Sequence, residues 1–155
     1  ISTADYHEEG LGGEKLGNFP TVFLVKKKTR EEVLLSLKQG RMYACRSGNN
    51  FQRFVLQDFS VSDSNTNSQA NMGDTLELNS KPEIRINVSS SDQKVHNVDV
   101  RIIRSGKLIR TISKTTPFAV DFKDDYFNPG ELIYYRLEIP GKLVSNPIFV
   151  KFGRD

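Results

Sequence analysis

Tryptophan is absent from the chain, cysteine occurs once, at Cys45, and histidine twice, at His7 and His96. A single cysteine excludes an intrachain disulfide framework and any cysteine-clustered zinc site. Two histidines exclude a self-contained multi-histidine metal centre. No apolar run is long enough to span a bilayer as a helix, and no signal-peptide pattern is read at the amino end, so no membrane is expected as a partner. Charge of one sign is also scarce: 22 basic residues face 19 acidic ones, a formal +3. A nucleic-acid binder concentrates positive charge on one face, so nucleic acid is not an expected partner. The one dense run, Lys26, Lys27, Lys28 and Arg30, reads as a solvated strand–helix junction.

What is present suits one domain, or one domain with an attached piece of another. At 155 residues, folding buries roughly two-thirds of the unfolded chain's surface, so no staple is needed. A hydrophobic content of 37% with 26% charged residues keeps the chain globular rather than disordered. It starts at Ile1, without methionine, inside what reads as a structured segment, which suggests a processed piece of a longer protein.

Residues 1 to 50 read as mixed α/β. Ile1 to Ala4 suits the end of a strand, leading into Asp5-Tyr6-His7 and a glycine-rich loop over residues 10–13. Thr21 to Val25 is a continuous apolar run, expected as a strand covered on both faces. Thr29-Arg30-Glu31-Glu32 spells a capping box, with the Thr29 hydroxyl taking the Glu32 amide and the Glu32 carboxylate reaching back. The helix runs through Val33, Leu34 and Leu37, with Val33 and Leu37 one turn apart on one face, and Gly40 supplies its left-handed stop.

From residue 51 the periodicity changes to two. Strands are expected over residues 54–61, 83–88, 98–102, 118–122, 132–139 and 143–150, with Ile84, Ile86 and Val88 on a buried face. Ser105-Gly106 has the spacing of a tight hairpin, and the Ser- and Asn-rich stretch from Ser62 to Gly73 reads as a mobile loop. Short strands with turns at near-regular intervals predict an immunoglobulin-like antiparallel β-sandwich over 51–155. The fold class is therefore mainly β, a small one-helix α/β segment preceding the sandwich.

Chemistry-bearing residues are few. Asp5-x-His7 at a strand end puts a carboxylate and an imidazole on one side, where both reach a divalent ion. Spacing alone favours an ordinary exposed pair, and Glu8, Glu9 and Glu14 add only nearby acid. Cys45, in an apolar run, reads as a buried structural thiol. His96 reads as a surface histidine without a motif partner, and Asp121, Asp124 and Asp125 read as a solvated turn rather than a calcium site. Alternation puts Tyr134 and Tyr135 on opposite faces, one core and one exposed.

Ile1-Ser2-Thr3-Ala4-Asp5-Tyr6-His7 resembles the last metal-ligand strand of the PHP (polymerase and histidinol phosphatase) superfamily of metal-dependent phosphoesterases, and residues 29–43 resemble its closing "helix, glycine, arginine, aromatic" passage. Residues 100–109, 134–138 and 145–150 resemble the β-domain appended to some bacterial members. The resemblance implies that residues 1–50 are the end of a distorted barrel and that Asp5 and His7 are metal-ligand positions. It also implies a divalent metal (Zn, Mn or Fe) in the intact parent, none bound tightly by this chain, and the missing amino-terminal barrel as the partner. Two ligands cannot fix a multinuclear hydrolytic centre, so the chain alone is expected to be inert. An exported or periplasmic location fits an accessory sandwich on a bacterial hydrolase. The competing expectations are a non-catalytic sandwich that binds a glycan or protein partner, and a domain that oligomerises through an edge strand.

Overall fold

The computed structural model describes residues 17–48, 52–63, 65–66 and 68–153. Their elements are β1 (Thr21–Phe23), α1 (Arg30–Gln39), β2 (Met42–Cys45), β3 (Phe54–Asp63), β4 (Gln69–Asn71), β5 (Thr75–Leu78), β6 (Pro82–Ser90), β7 (Asn97–Arg104), β8 (Lys107–Thr115), β9 (Phe118–Lys123), β10 (Leu132–Ile139), β11 (Leu143–Ser145) and β12 (Ile148–Phe152).

Two sheets form a β-sandwich. The smaller has the order β4-β3-β6-β9, all antiparallel. In the larger, β10 is central: β7 and then β8 lie on one side of it. On the other side β12 pairs with its first half and β11 with its second half. β5 joins β12 as the one parallel pairing among the described strands. Alternation does the sorting. Ile84, Ile86 and Val88 from β6 are 1% exposed or less, as are Val100 and Ile102 from β7 and Tyr135 and Leu137 from β10. All of these belong to one cluster between the sheets, each contributing about 1.5–3 kcal/mol by leaving water.

Tyr135 is core while Tyr134 lies half-exposed on the opposite face, as alternation predicts. The stretch from Ser62 to Gly73, expected as a mobile loop, is strand at both sides of a turn. β3 runs on to Asp63, and β4 returns along it with Ser62 opposite Gln69 and Ser60 opposite Asn71. Gln69 and Asn71 are exposed there, Ser62 is half-buried and Ser60 is buried. The single strand expected over 143–150 is two, interrupted at Asn146-Pro147, where the partner along the edge changes from β2 to β5.

The α/β segment is tied to the larger sheet. β2 pairs with β11, Cys45 opposite Leu143 and Ser145 opposite Tyr43. Tyr43 reaches across the sandwich, its hydroxyl accepting from the Leu56 amide at 3.4 Å. β1 adds outside β2, so it has a neighbour on one side only among the described strands. It is half-exposed rather than covered on both faces, and Leu24 beyond it is exposed. Thr29 caps α1 as expected, accepting from the Glu32 amide at 3.3 Å. The Glu32 carboxylate reaches further back than a capping box requires, to the Lys26 amide at 3.2 Å. Gly40 ends the helix at φ +74°. The helix buries little: only Ser36 is fully buried, and Leu34, Leu35 and Leu37 are 52%, 42% and 36% exposed.

Candidate functional site

Asp5 and His7 lie outside the described residues, as do the Glu8, Glu9 and Glu14 carboxylates and the glycine-rich loop at 10–13. Among the described residues, no group of three or more His, Cys, Asp and Glu side chains is placed to hold a metal ion. The remaining candidates can be built one by one.

Cys45 is 3% exposed at the end of β2. Its Sγ contacts the Pro20 carbonyl oxygen at 3.6 Å, and burial raises the thiol pKa against the weaker pull of Arg53. A thiol held protonated in apolar surroundings is a structural residue, not a nucleophile.

His96 corrects the sequence reading. It is not a lone surface histidine: Nε2 lies 3.0 Å from both carboxylate oxygens of Asp92, and the ring meets Phe54 edge-on at 6.1 Å. The pairing escaped a motif search because the four-residue spacing is bridged by a loop. Asp92 also accepts from the Ser90 hydroxyl at 2.6 Å and the Lys94 amide at 3.1 Å. The Ser90 bond, with the amide and His96 behind it, outweighs desolvation and lowers the Asp92 pKa to about 2. A carboxylate only accepts, so Nε2 carries the proton of this contact. Ser, Asp and His are thus neighbours without forming a nucleophilic relay. Ser90 gives its proton to Asp92 and accepts from Gln52 at 2.9 Å, so no imidazole nitrogen is positioned to activate it. Beside His96 runs an open groove of about 400 Å³ that also touches Gln52, Asp99 and Lys142.

Asp124 is likewise not part of a solvated turn. It is 7% exposed, and both its oxygens accept from Arg104 Nη1, at 2.9 and 2.7 Å. Tyr135 donates to it at 2.7 Å and the Tyr126 amide at 3.2 Å. Burial first, then the Asp124 hydrogen bond and charge, hold the Tyr135 phenol far above its ordinary range, so it remains a donor. The Arg104 guanidinium lies 3.9 Å from the Tyr126 ring centroid. The Tyr135 hydroxyl on β10 is thereby tied to the loop that precedes its own strand. Here it locks β7, β10 and the loop before β10 together, and every Asp124 oxygen is occupied from within the chain. Its neighbours Asp121 and Asp125 pair with Arg85 and Lys81 instead.

The last candidate is the outer face of the larger sheet. Tyr134 packs on Phe149 there, ring centroids 6.3 Å apart, with Leu132 and Leu108 61% and 55% exposed nearby. Compared with models of known protein families the chain matches none, and comparison with curated proteins yields no match.

Proposed function

We propose that this chain is the carboxyl-terminal part of a PHP-type metal-dependent hydrolase, a phosphoesterase, in which the sandwich is an accessory structural module. The observation that carries this reading is the uncovered side of α1. A ten-residue helix is marginal in water unless an apolar face is packed. This one presents Leu34, Leu35 and Leu37 to solvent, with Leu24 exposed on the segment before it. Burying one such leucine is worth about 1.5–3 kcal/mol, and a helix that seals a barrel needs such a side.

In this reading Asp5 and His7 supply two positions of a cation site whose other ligands belong to upstream polypeptide. Asp5 and His7 would there help hold a divalent metal, which would supply Lewis-acid chemistry for phosphoester hydrolysis. The chain by itself has no catalytic role. The deciding experiment is a metal-supplemented phosphoester assay on the longer protein, with Asp5→Asn and His7→Ala variants alongside. Loss of turnover in both, with the fold retained, supports the reading. Undiminished turnover in either removes that residue from the site.

A further inference from the structure

The hairpin of β7 and β8 carries Arg101, Arg104, Lys107, Arg110 and Lys114 against the single acid Asp99. Its local excess of four positive charges exceeds the formal +3 of the entire chain. Arg104 is neutralised by Asp124. Among the described residues the other four basic groups have no ion pair, Arg110 resting instead on the Phe122 ring at 4.9 Å. The same hairpin holds a free sheet edge. β8 is nine residues long, pairs with β7 from Lys107 to Thr115, and has no other partner among the described strands. Seven of its nine residues are exposed, while Ile109 and Ile112 pack on the core and hold the strand against the sandwich.

We propose that the outer edge of β8 binds an acidic, extended segment of a partner protein as an added β-strand. The register shifts by one residue at Ile109, and beyond that bulge the unpaired edge from Arg110 to Thr115 offers amides and carbonyls at strand spacing, the requirement for strand addition. Basic side chains are the usual guard on such an edge because two copies of the same strand would oppose like charges. That guard is selective: it disfavours a second copy of this chain and favours a strand bearing carboxylates. The inference is independent of the hydrolase reading, since it uses only the described sandwich and stands or falls on binding rather than turnover.

The test is an anisotropy titration of this chain into a labelled peptide alternating Glu and Val, with β8 amide shifts followed by NMR. Saturable binding is expected, with the largest shifts along β8 and weaker affinity at high salt. The same peptide N-methylated at alternate amides should bind at least about tenfold more weakly, a difference of about 1.4 kcal/mol. The Lys107→Glu/Lys114→Glu double variant should lose a similar factor. Both lysines are exposed, and the N-methyl comparison needs no variant at all. Equal binding of the N-methylated peptide, tighter binding of a single-stranded oligonucleotide, equal binding of a Lys–Val peptide, or no saturable binding would each overturn the proposal.

Discussion

Gly73 stands against the end of α1 so closely that a Cβ on it would fall 1.9 Å from the Gln39 carbonyl oxygen. The contact joins the turn between β4 and β5 to the helix. Beside it Asn146 Nδ2 donates to the Gly40 carbonyl at 3.0 Å, across 106 positions of sequence. The Asn146 amide also donates to the Met42 carbonyl at 3.2 Å. The helix is therefore held at its carboxyl end and bare along its side.

Gly73→Ala tests that clamp. Gly73 sits at φ +86°, where a side chain costs roughly 1–2 kcal/mol, and the backbone collision adds to it. A total loss of about 2–4 kcal/mol is expected in urea unfolding. Hydrogen exchange should rise in α1 before it rises in β6 or β10. Unchanged stability would mean that the helix is not seated where the contact requires.

Asp124→Asn leaves the Arg104 guanidinium without a counter-charge at a largely buried site, the two side chains being 22% and 10% exposed. A loss of about 3 kcal/mol is expected, the low end for breaking a buried pair. Tyr135→Phe removes one donor to a charged acceptor and should cost about 1.5–3 kcal/mol. Because both changes touch one network, the double variant should lose clearly less than their sum. Additive losses in chemical denaturation would show that the three groups do not act together.

The Asp92 pKa gives a pH prediction. Its folded value, about 2, lies below the ordinary 3.8. Its contribution is therefore complete above 3.8 and disappears as the pH falls through 2. Other lowered carboxyls, Asp63, Asp125 and Glu131, add to acid sensitivity, so the informative quantity is the difference between wild type and Asp92→Asn. Unfolding titrations should show the wild-type advantage shrinking across this window. A difference that is constant with pH would rule out the carboxylate as its source.

The sandwich was legible because its long strands bury one side. Ile84, Ile86 and Val88, then Val98, Val100 and Ile102, recur at period two in the sequence and are buried in the fold. The helix was legible from its ends, Thr29 and Gly40, since caps are local chemistry. Its apolar spacing alone implied a buried face that the described structure does not cover. Short strands such as β4 carried no signal, because three residues hold no period and Gln69 and Asn71 face outward. The sites were harder still. His96 meets Asp92 only because a loop folds back, and Asp124 is surrounded by Arg104 and Tyr135 from two other strands, so adjacency in sequence suggested a wet turn. Asp5 and His7 were legible only through resemblance.

If α1 seals a barrel in a longer polypeptide, Leu34, Leu35 and Leu37 should react readily with hydroxyl radicals in this chain and be protected in that protein. Equal labelling in both would place the helix side in solvent throughout and remove the main support for the fragment reading.

The most direct measurement is phosphoester turnover by this chain alone, with Zn, Mn or Fe supplied and then chelated. No turnover above the metal-only background is predicted, because Asp5 and His7 are too few to fix a hydrolytic centre. Turnover by the purified chain that a chelator abolishes would contradict the account.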